Sequence, residues 1–91
     1  MLPSEYVKQG WIQNIFYIYA VDGNLRVCAF EGINRSVRDG TITVEQKIQY
    51  TFVLRRIIKS DKISQWNDLS GTTKEEVVEK MLQVEREIGL K

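Results

Sequence analysis

The chain carries one thiol, Cys28, and no histidine. A cysteine at the start of a helix can have its pKa lowered far enough for the thiolate to act as a nucleophile. Here no imidazole is available to take the proton. The nearest acid in sequence, Glu31, raises a thiol pKa rather than lowering it. Cys28 therefore reads first as a small buried residue at a strand-to-helix joint, and second as a reactive thiol. The same inventory excludes Ser-His and Cys-His catalysis, histidine-ligated metals, an intrachain disulfide and a zinc ribbon. No Asp-x-Asp-x-Asp-Gly calcium loop and no glycine-rich phosphate loop occurs, so neither a metal nor a cofactor is expected. Acid-base chemistry would need the fold to pair carboxylates from among Asp22, Glu31, Asp39 and Asp68.

Binding is better provided for. Trp66-Asn67-Asp68-Leu69-Ser70-Gly71-Thr72-Thr73 is the most turn-prone stretch of the chain. Asn and Asp side chains hydrogen-bond nearby backbone, and an exposed tryptophan among polar residues suits a partner or a small polar ligand. Trp66, Asn67 and Asp68, together with Trp11 and Gln13, form the candidate binding surface; the competing reading makes Trp66 an anchor for the loop. The alternative surface is basic. Arg35, Arg38, Arg55, Arg56 and Lys59, with Tyr17 or Tyr19 alongside, could hold nucleic-acid phosphates and stack bases. Against it stand a formal net charge of +1 and an acidic last helix that balances these cations.

These residues need elements to position them. Residues 11 to 30 read as a β-hairpin. The run from Ile12 to Val21 is aromatic and β-branched, Asp22-Gly23 favours a tight primed turn, and Leu25 to Ala29 returns. Trp11, Gln13, Ile15, Tyr17 and Tyr19 share one face, and Ile12, Asn14, Phe16, Ile18 and Ala20 the other. Both faces are apolar, so both are expected to be covered. A short helix is expected from Cys28 or Ala29 to Arg38, ending at Asp39-Gly40. Thr43 and Gln46 form a capping box for a helix to about Lys59. Ile48, Tyr50, Phe52 and Leu54 also alternate as a strand would, but the cap and the length favour helix. Helical spacing puts Tyr50, Val53, Leu54, Ile57 and Ile58 on one face and Ile48, Phe52 and Arg55 on another. Thr72 and Thr73 each offer a capping box with Glu75 and Glu76. Val77, Val78, Met81, Leu82, Val84 and Ile88 then form the apolar stripe of a last helix that leaves Glu85 mostly solvated and stops at Gly89.

Three segments in order, Gly10-Trp11-Ile12-Gln13, Cys28-Ala29 with Gly32-Ile33, and Trp66-Asn67-Asp68 with Gly71-Thr72 and Glu75-Glu76-Val77, resemble a short domain family of unknown function found in bacteria and their phages. The family is marked by a Trp-x-Gln strand, a cysteine leading into a glycine-containing helix, and a Trp-Asn-Asp loop before the last helix. The resemblance spans residues 10 to about 88. It implies an intracellular α+β domain and a helix over residues 43–59, and it implies no activity. The segment before Trp11 is too short for the leading helix expected of such a domain.

The sequence thus predicts one domain over residues 1–91, of class α+β: an N-terminal antiparallel hairpin packed with two or three helices, the last amphipathic. With 91 residues a single core is affordable. No secretory leader is evident at the start, and the longest uncharged apolar run, Ile15 to Val21, is far short of the ~20 residues of a membrane span. A cytoplasmic location and no membrane partner are expected. The expected function is non-catalytic: a bacterial or phage accessory module binding a protein or small polar ligand. The alternatives are a nucleic-acid binder and a small Cys28-dependent enzyme. A homodimer is expected to cover the edge and face of the hairpin.

Overall fold

A computed structural model describes residues 1–91. It bears out the α+β class and the two-stranded antiparallel sheet, with five helices where two or three are expected. The first helix, α1 (Pro3–Gln9), corrects the expectation that no helix precedes Trp11. Its signals are short-range. Pro3 occupies the first turn, where a missing N–H costs nothing, and the Glu5 carboxylate accepts from the Leu2 N–H at 2.6 Å.

After α1 the chain does not run as one long strand. Only β1 (Tyr17–Tyr19) pairs antiparallel with β2 (Leu25–Val27), in the register Tyr17 to Val27, Ile18 to Arg26 and Tyr19 to Leu25. Residues 10–12 lie along the opposite edge of β2: the Val27 N–H donates to the Gly10 carbonyl at 2.9 Å, and the Ile12 N–H to the Val27 carbonyl at 3.2 Å. Residues 13–16 therefore cross from one edge of β2 to the other. Asn14 makes that crossing in the left-handed region at φ 73°, a conformation asparagine tolerates better than most residues. The close approach on the far edge needs Gly10, because a Cβ there would stand 2.4 Å from the Leu25 carbonyl oxygen.

The hairpin turn also differs from expectation. The Gly23 N–H donates to the Ala20 carbonyl at 2.8 Å, and within the turn only Gly23 has a positive φ, 81°. That is the longer loop with a glycine bulge rather than a two-residue primed turn. The Asp22 carboxylate holds it by accepting from the Asn24 N–H at 2.9 Å.

The remaining helices are α2 (Ala29–Arg38), α3 (Val44–Ile58), α4 (Ile63–Asp68) and α5 (Lys74–Glu87). In α2 the Cys28 sulfur caps the helix by accepting from the Glu31 N–H at 3.4 Å. In α3 the capping box forms as read, the Gln46 N–H to Thr43 Oγ1 at 3.1 Å and the Thr43 N–H to Gln46 Oε1 at 2.8 Å. Helical periodicity prevails over the competing alternation: Tyr50, Val53 and Leu54 are buried, while Ile48 and Phe52 are exposed. For α5 the cap is Thr73, accepting from the Glu76 N–H, and Thr72 instead donates to the Trp66 carbonyl.

One core joins these elements. Val7 from α1, Val27 from β2, Ala29 and Ile33 from α2, Tyr50 and Leu54 from α3, Ile63 and Trp66 from α4, and Val77, Met81 and Val84 from α5 are packed together. Glu85, expected in solvent, is fully buried. Its carboxylate accepts from the Ser4 N–H at 2.9 Å, the Ser4 hydroxyl at 2.6 Å and the Tyr50 hydroxyl at 2.6 Å, which ties α1 and α3 to α5. Three donors give the buried carboxylate the partners that burial demands. Burial, and then the Glu85 charge beside it, push the Tyr50 hydroxyl pKa far upward. No helix is long and apolar enough to cross a membrane.

Candidate binding surface

The five residues singled out as a binding surface, Trp11, Gln13, Trp66, Asn67 and Asp68, come together at the joint between the crossing segment and α4. The region around Trp66 is a correction to the sequence reading. Trp66, Asn67 and Asp68 close a six-residue helix rather than a loop. Ile63, Trp66 and Asn67 are at i, i+3, i+4 spacing and face the core. Trp66 is 8% exposed and Asn67 fully buried, so neither presents itself to a partner.

Asn67 is the hub. Its Oδ1 accepts from Trp11 Nε1 at 2.7 Å and from the Ala29 N–H at 3.0 Å. Its Nδ2 donates to the Ile12 carbonyl at 3.1 Å and to Asp68 Oδ1 at 3.0 Å. One amide thereby fastens the crossing segment, the start of α2 and the end of α4. Gln13 completes the joint by donating to the Asn67 and Leu69 carbonyls at 3.0 and 2.9 Å, which satisfies acceptors that the end of α4 would otherwise leave open. Asp68 Oδ1 also accepts from the Asn14 N–H at 2.8 Å, fixing the left-handed turn.

That joint shapes what lies beside it. An open cavity of about 360 Å3 is lined by Asn14, Ile15, Phe16, Cys28, Ser64 and Asp68. Of the five predicted residues only Asp68 reaches it. Cys28 reaches it as well, but burial pushes the thiol pKa up, and the negative charges of Asp68 and Glu31 add to the effect against two backbone N–H groups. The thiol is 2% exposed, and the chain has no histidine to take its proton. The cavity offers hydroxyl, amide and carboxylate groups beside an aromatic wall.

The hairpin supplies the larger surface, and here the expectation that both faces are covered is overturned. Ile15, Phe16, Tyr17, Ile18 and Tyr19 are each between 43% and 61% exposed, and Val21 is fully exposed. Two hydrogen-bonding patterns show which backbone groups face outward. Val27 spends its N–H and carbonyl on residues 10–12, while the Cys28 N–H donates to the Phe16 carbonyl and the Ala20 N–H to the Asn24 carbonyl. By antiparallel alternation Ile18 faces β2, and the N–H and carbonyl groups of Tyr17 and Tyr19 point away from it along an open edge. The two tyrosine rings pack edge to face, 6.4 Å between centroids, and the Arg35 guanidinium lies 4.8 Å from the Tyr17 ring centre.

The five predicted cations divide. Arg35 and Arg38 both bind the buried carboxylate of Glu31, at 3.1 and 2.7 Å. Arg55, Arg56 and Lys59 gather at the end of α3 with Phe52, around an open hollow of about 380 Å3. Of these, Arg56 pairs with Glu87, and Arg55 donates to the Asp61 carbonyl. No group of acids, cysteines or histidines is placed to hold a metal ion.

Asn14, Ile15, Phe16 and Ser64 were not anticipated as site residues. For the first three the available signal is the uncharged run from Asn14 to Val21, which reads as a covered strand; nothing in the sequence marks Ser64. Comparison of the chain with known protein families, with curated proteins and with solved structures finds no match.

Proposed function

We propose that the chain is a non-catalytic binding module that holds a protein partner along β1 and the adjoining cavity, in keeping with an accessory protein of bacterial or phage origin. The observation that carries the reading is the run of exposed apolar residues from Ile15 to Tyr19, backed by an open strand edge. Exposed apolar side chains on both faces of a strand, next to unpaired backbone donors and acceptors, suit strand addition by a partner. The thiol argues the same way: it is buried, and burial raises its pKa. Trp11, Gln13, Trp66 and Asn67 position this surface and Asp68 borders it. The test is capture from native lysate by the immobilised chain and by a Phe16→Ser/Tyr19→Ser variant with an unchanged thermal transition. Loss of the captured species in the variant is the expected result. Equal capture by both proteins would place the binding surface elsewhere.

A second reading rests on Phe52 standing among Arg55, Arg56 and Lys59, an aromatic ring beside cations of the kind that holds single-stranded nucleic acid. It predicts retention on a DNA or RNA column at low salt that falls steeply as salt is added. Passage through both columns at low salt excludes it.

A further inference from the structure

We infer that the partner of the β1 edge is a second copy of this chain, joined by antiparallel β1-to-β1 pairing about a two-fold axis at Ile18. The inference rests on the reading of β1 as the binding surface and names its occupant.

The geometry of the edge is self-complementary. Tyr17 and Tyr19 direct their N–H and carbonyl groups outward, and Ile18 directs its own towards Arg26 of β2. A two-fold axis at Ile18 sets Tyr17 against the partner's Tyr19, and Tyr19 against the partner's Tyr17. Each of these is a hydrogen-bonded pair of an antiparallel ladder, so every outward group of β1 finds a complement. Ile18 then faces Ile18 of the partner subunit across a non-hydrogen-bonded pair, where side chains approach most closely. Shifting the pairing by two residues keeps the symmetry but moves the axis to Tyr17 or Tyr19, off the centre of the strand.

Charge permits the pairing. Asn14 to Val21 contains no ionisable group apart from the tyrosine hydroxyls, and the whole chain is nearly neutral at +1, so two copies meet without like charges in the ladder. The strand carries no lysine, proline or bulge of the sort that keeps an edge from pairing with itself. Apolar side chains flank the edge as well. Ile15, Phe16, Tyr17, Ile18, Tyr19 and Val21 are all at least 43% exposed. Phe16, Tyr17 and Tyr19, with rings that bury about 150–250 Å2 each and are here roughly half exposed, present on the order of 300 Å2. With the three aliphatic side chains added this is still below the ~800 Å2 per partner of a standard interface, which places the dimer in the weak class and sets the concentration range of its test. Pairing turns a two-stranded sheet, marginal by itself, into a four-stranded one.

The experiment is sedimentation velocity of the full chain over a micromolar-to-millimolar concentration series, for wild type, Ile18→Lys, Ile18→Glu and an equimolar mixture of the two variants. The proposal expects a wild-type dimer, two monomeric variants and recovery of a dimer in the mixture, because the axis sets residue 18 against itself. Thermal melts report whether each variant keeps its fold, and the wild-type series tests the proposal whatever they show. A wild-type chain that is monomeric throughout overturns the proposal without any variant. A dimer that persists in both variants, or a mixture that stays monomeric beside a wild-type dimer, overturns the assigned axis. If the wild type is monomeric yet Phe16→Ser/Tyr19→Ser still loses its captured species, self-pairing fails and the β1 binding reading stands. If capture is also unchanged, both fail.

Discussion

Replacing Asn67 by alanine removes the one side chain that fastens three parts of the fold. In the native chain its amide uses two acceptor and two donor positions, towards Trp11 Nε1, the Ala29 N–H, the Ile12 carbonyl and Asp68 Oδ1. Asp68 Oδ1 keeps the Asn14 N–H as a partner, but Trp11 Nε1, the Ala29 N–H and the Ile12 carbonyl lose this one. A buried polar group left without a partner costs about 1–3 kcal/mol. The Ile12 carbonyl and Trp11 ring are near enough to the surface for water to relieve part of their loss, whereas Ala29 is fully buried. We therefore expect Asn67→Ala to lose about 3–5 kcal/mol, a large share of the ~5–15 kcal/mol of a typical domain. Each kcal/mol lowers the Tm of a domain this size by roughly 4–8 °C, so the drop should exceed about 12 °C. Urea titration followed by tryptophan fluorescence suits the measurement, because Trp11 and Trp66 both lie at the joint. A loss under about 0.5 kcal/mol, ordinary for a surface change, would refute the hub argument.

Further outcomes follow from the same geometry. Gly10→Ala drives a methyl group against the Leu25 carbonyl, a backbone atom that cannot swing aside, and should cost about 1–3 kcal/mol. Gly71→Ala, with open space around it and no positive φ, is the control expected to melt like wild type. Cys28 in the folded chain should react with iodoacetamide at least about tenfold more slowly than in the urea-unfolded chain, since burial both shields the thiol and raises its pKa; equal rates would show an accessible thiolate. Asp39 gives a pH dependence. Burial alone would raise its pKa, but hydrogen bonds from the Met1 ammonium, Thr41 and Tyr6 outweigh that and hold it well below the usual carboxylate range. A lowered folded pKa means the stabilisation is present above the unfolded value, about 3.9, and is lost as pH falls below it. Urea midpoints measured from neutral pH into this range should fall less steeply for Asp39→Asn than for wild type.

What the sequence disclosed tracks how local each signal is. The Thr43–Gln46 box and the Thr73 cap are contained within a single turn, and both formed. The periodicity of α3 settled which of its apolar residues are buried because fifteen residues sample the helical repeat several times. The short elements were harder. The turn residues after Trp66 masked a six-residue helix whose only sign is the spacing of Ile63, Trp66 and Asn67. The hairpin strand reads as continuous because most residues from Ile12 to Val21 are aromatic or β-branched; that Gly10–Ile12 and Tyr17–Tyr19 lie on opposite edges of β2 depends on Gly10 and Asn14. Burial of Glu85 depends on donors at Ser4 and Tyr50, far away in sequence. The five binding candidates were brought to one place, yet their polar groups turned inward to one another, which no residue type reveals by itself.

The claim that β1 is the surface by which this chain binds is tested most directly by residue-resolved amide exchange. In the free chain at low concentration, Ile18 should be protected by β2, and Tyr17 and Tyr19 should exchange rapidly. On raising the concentration, or on adding a captured partner, Tyr17 and Tyr19 should become protected together. If both stay fast in every complex the chain forms, while protection appears elsewhere, β1 is not the binding surface.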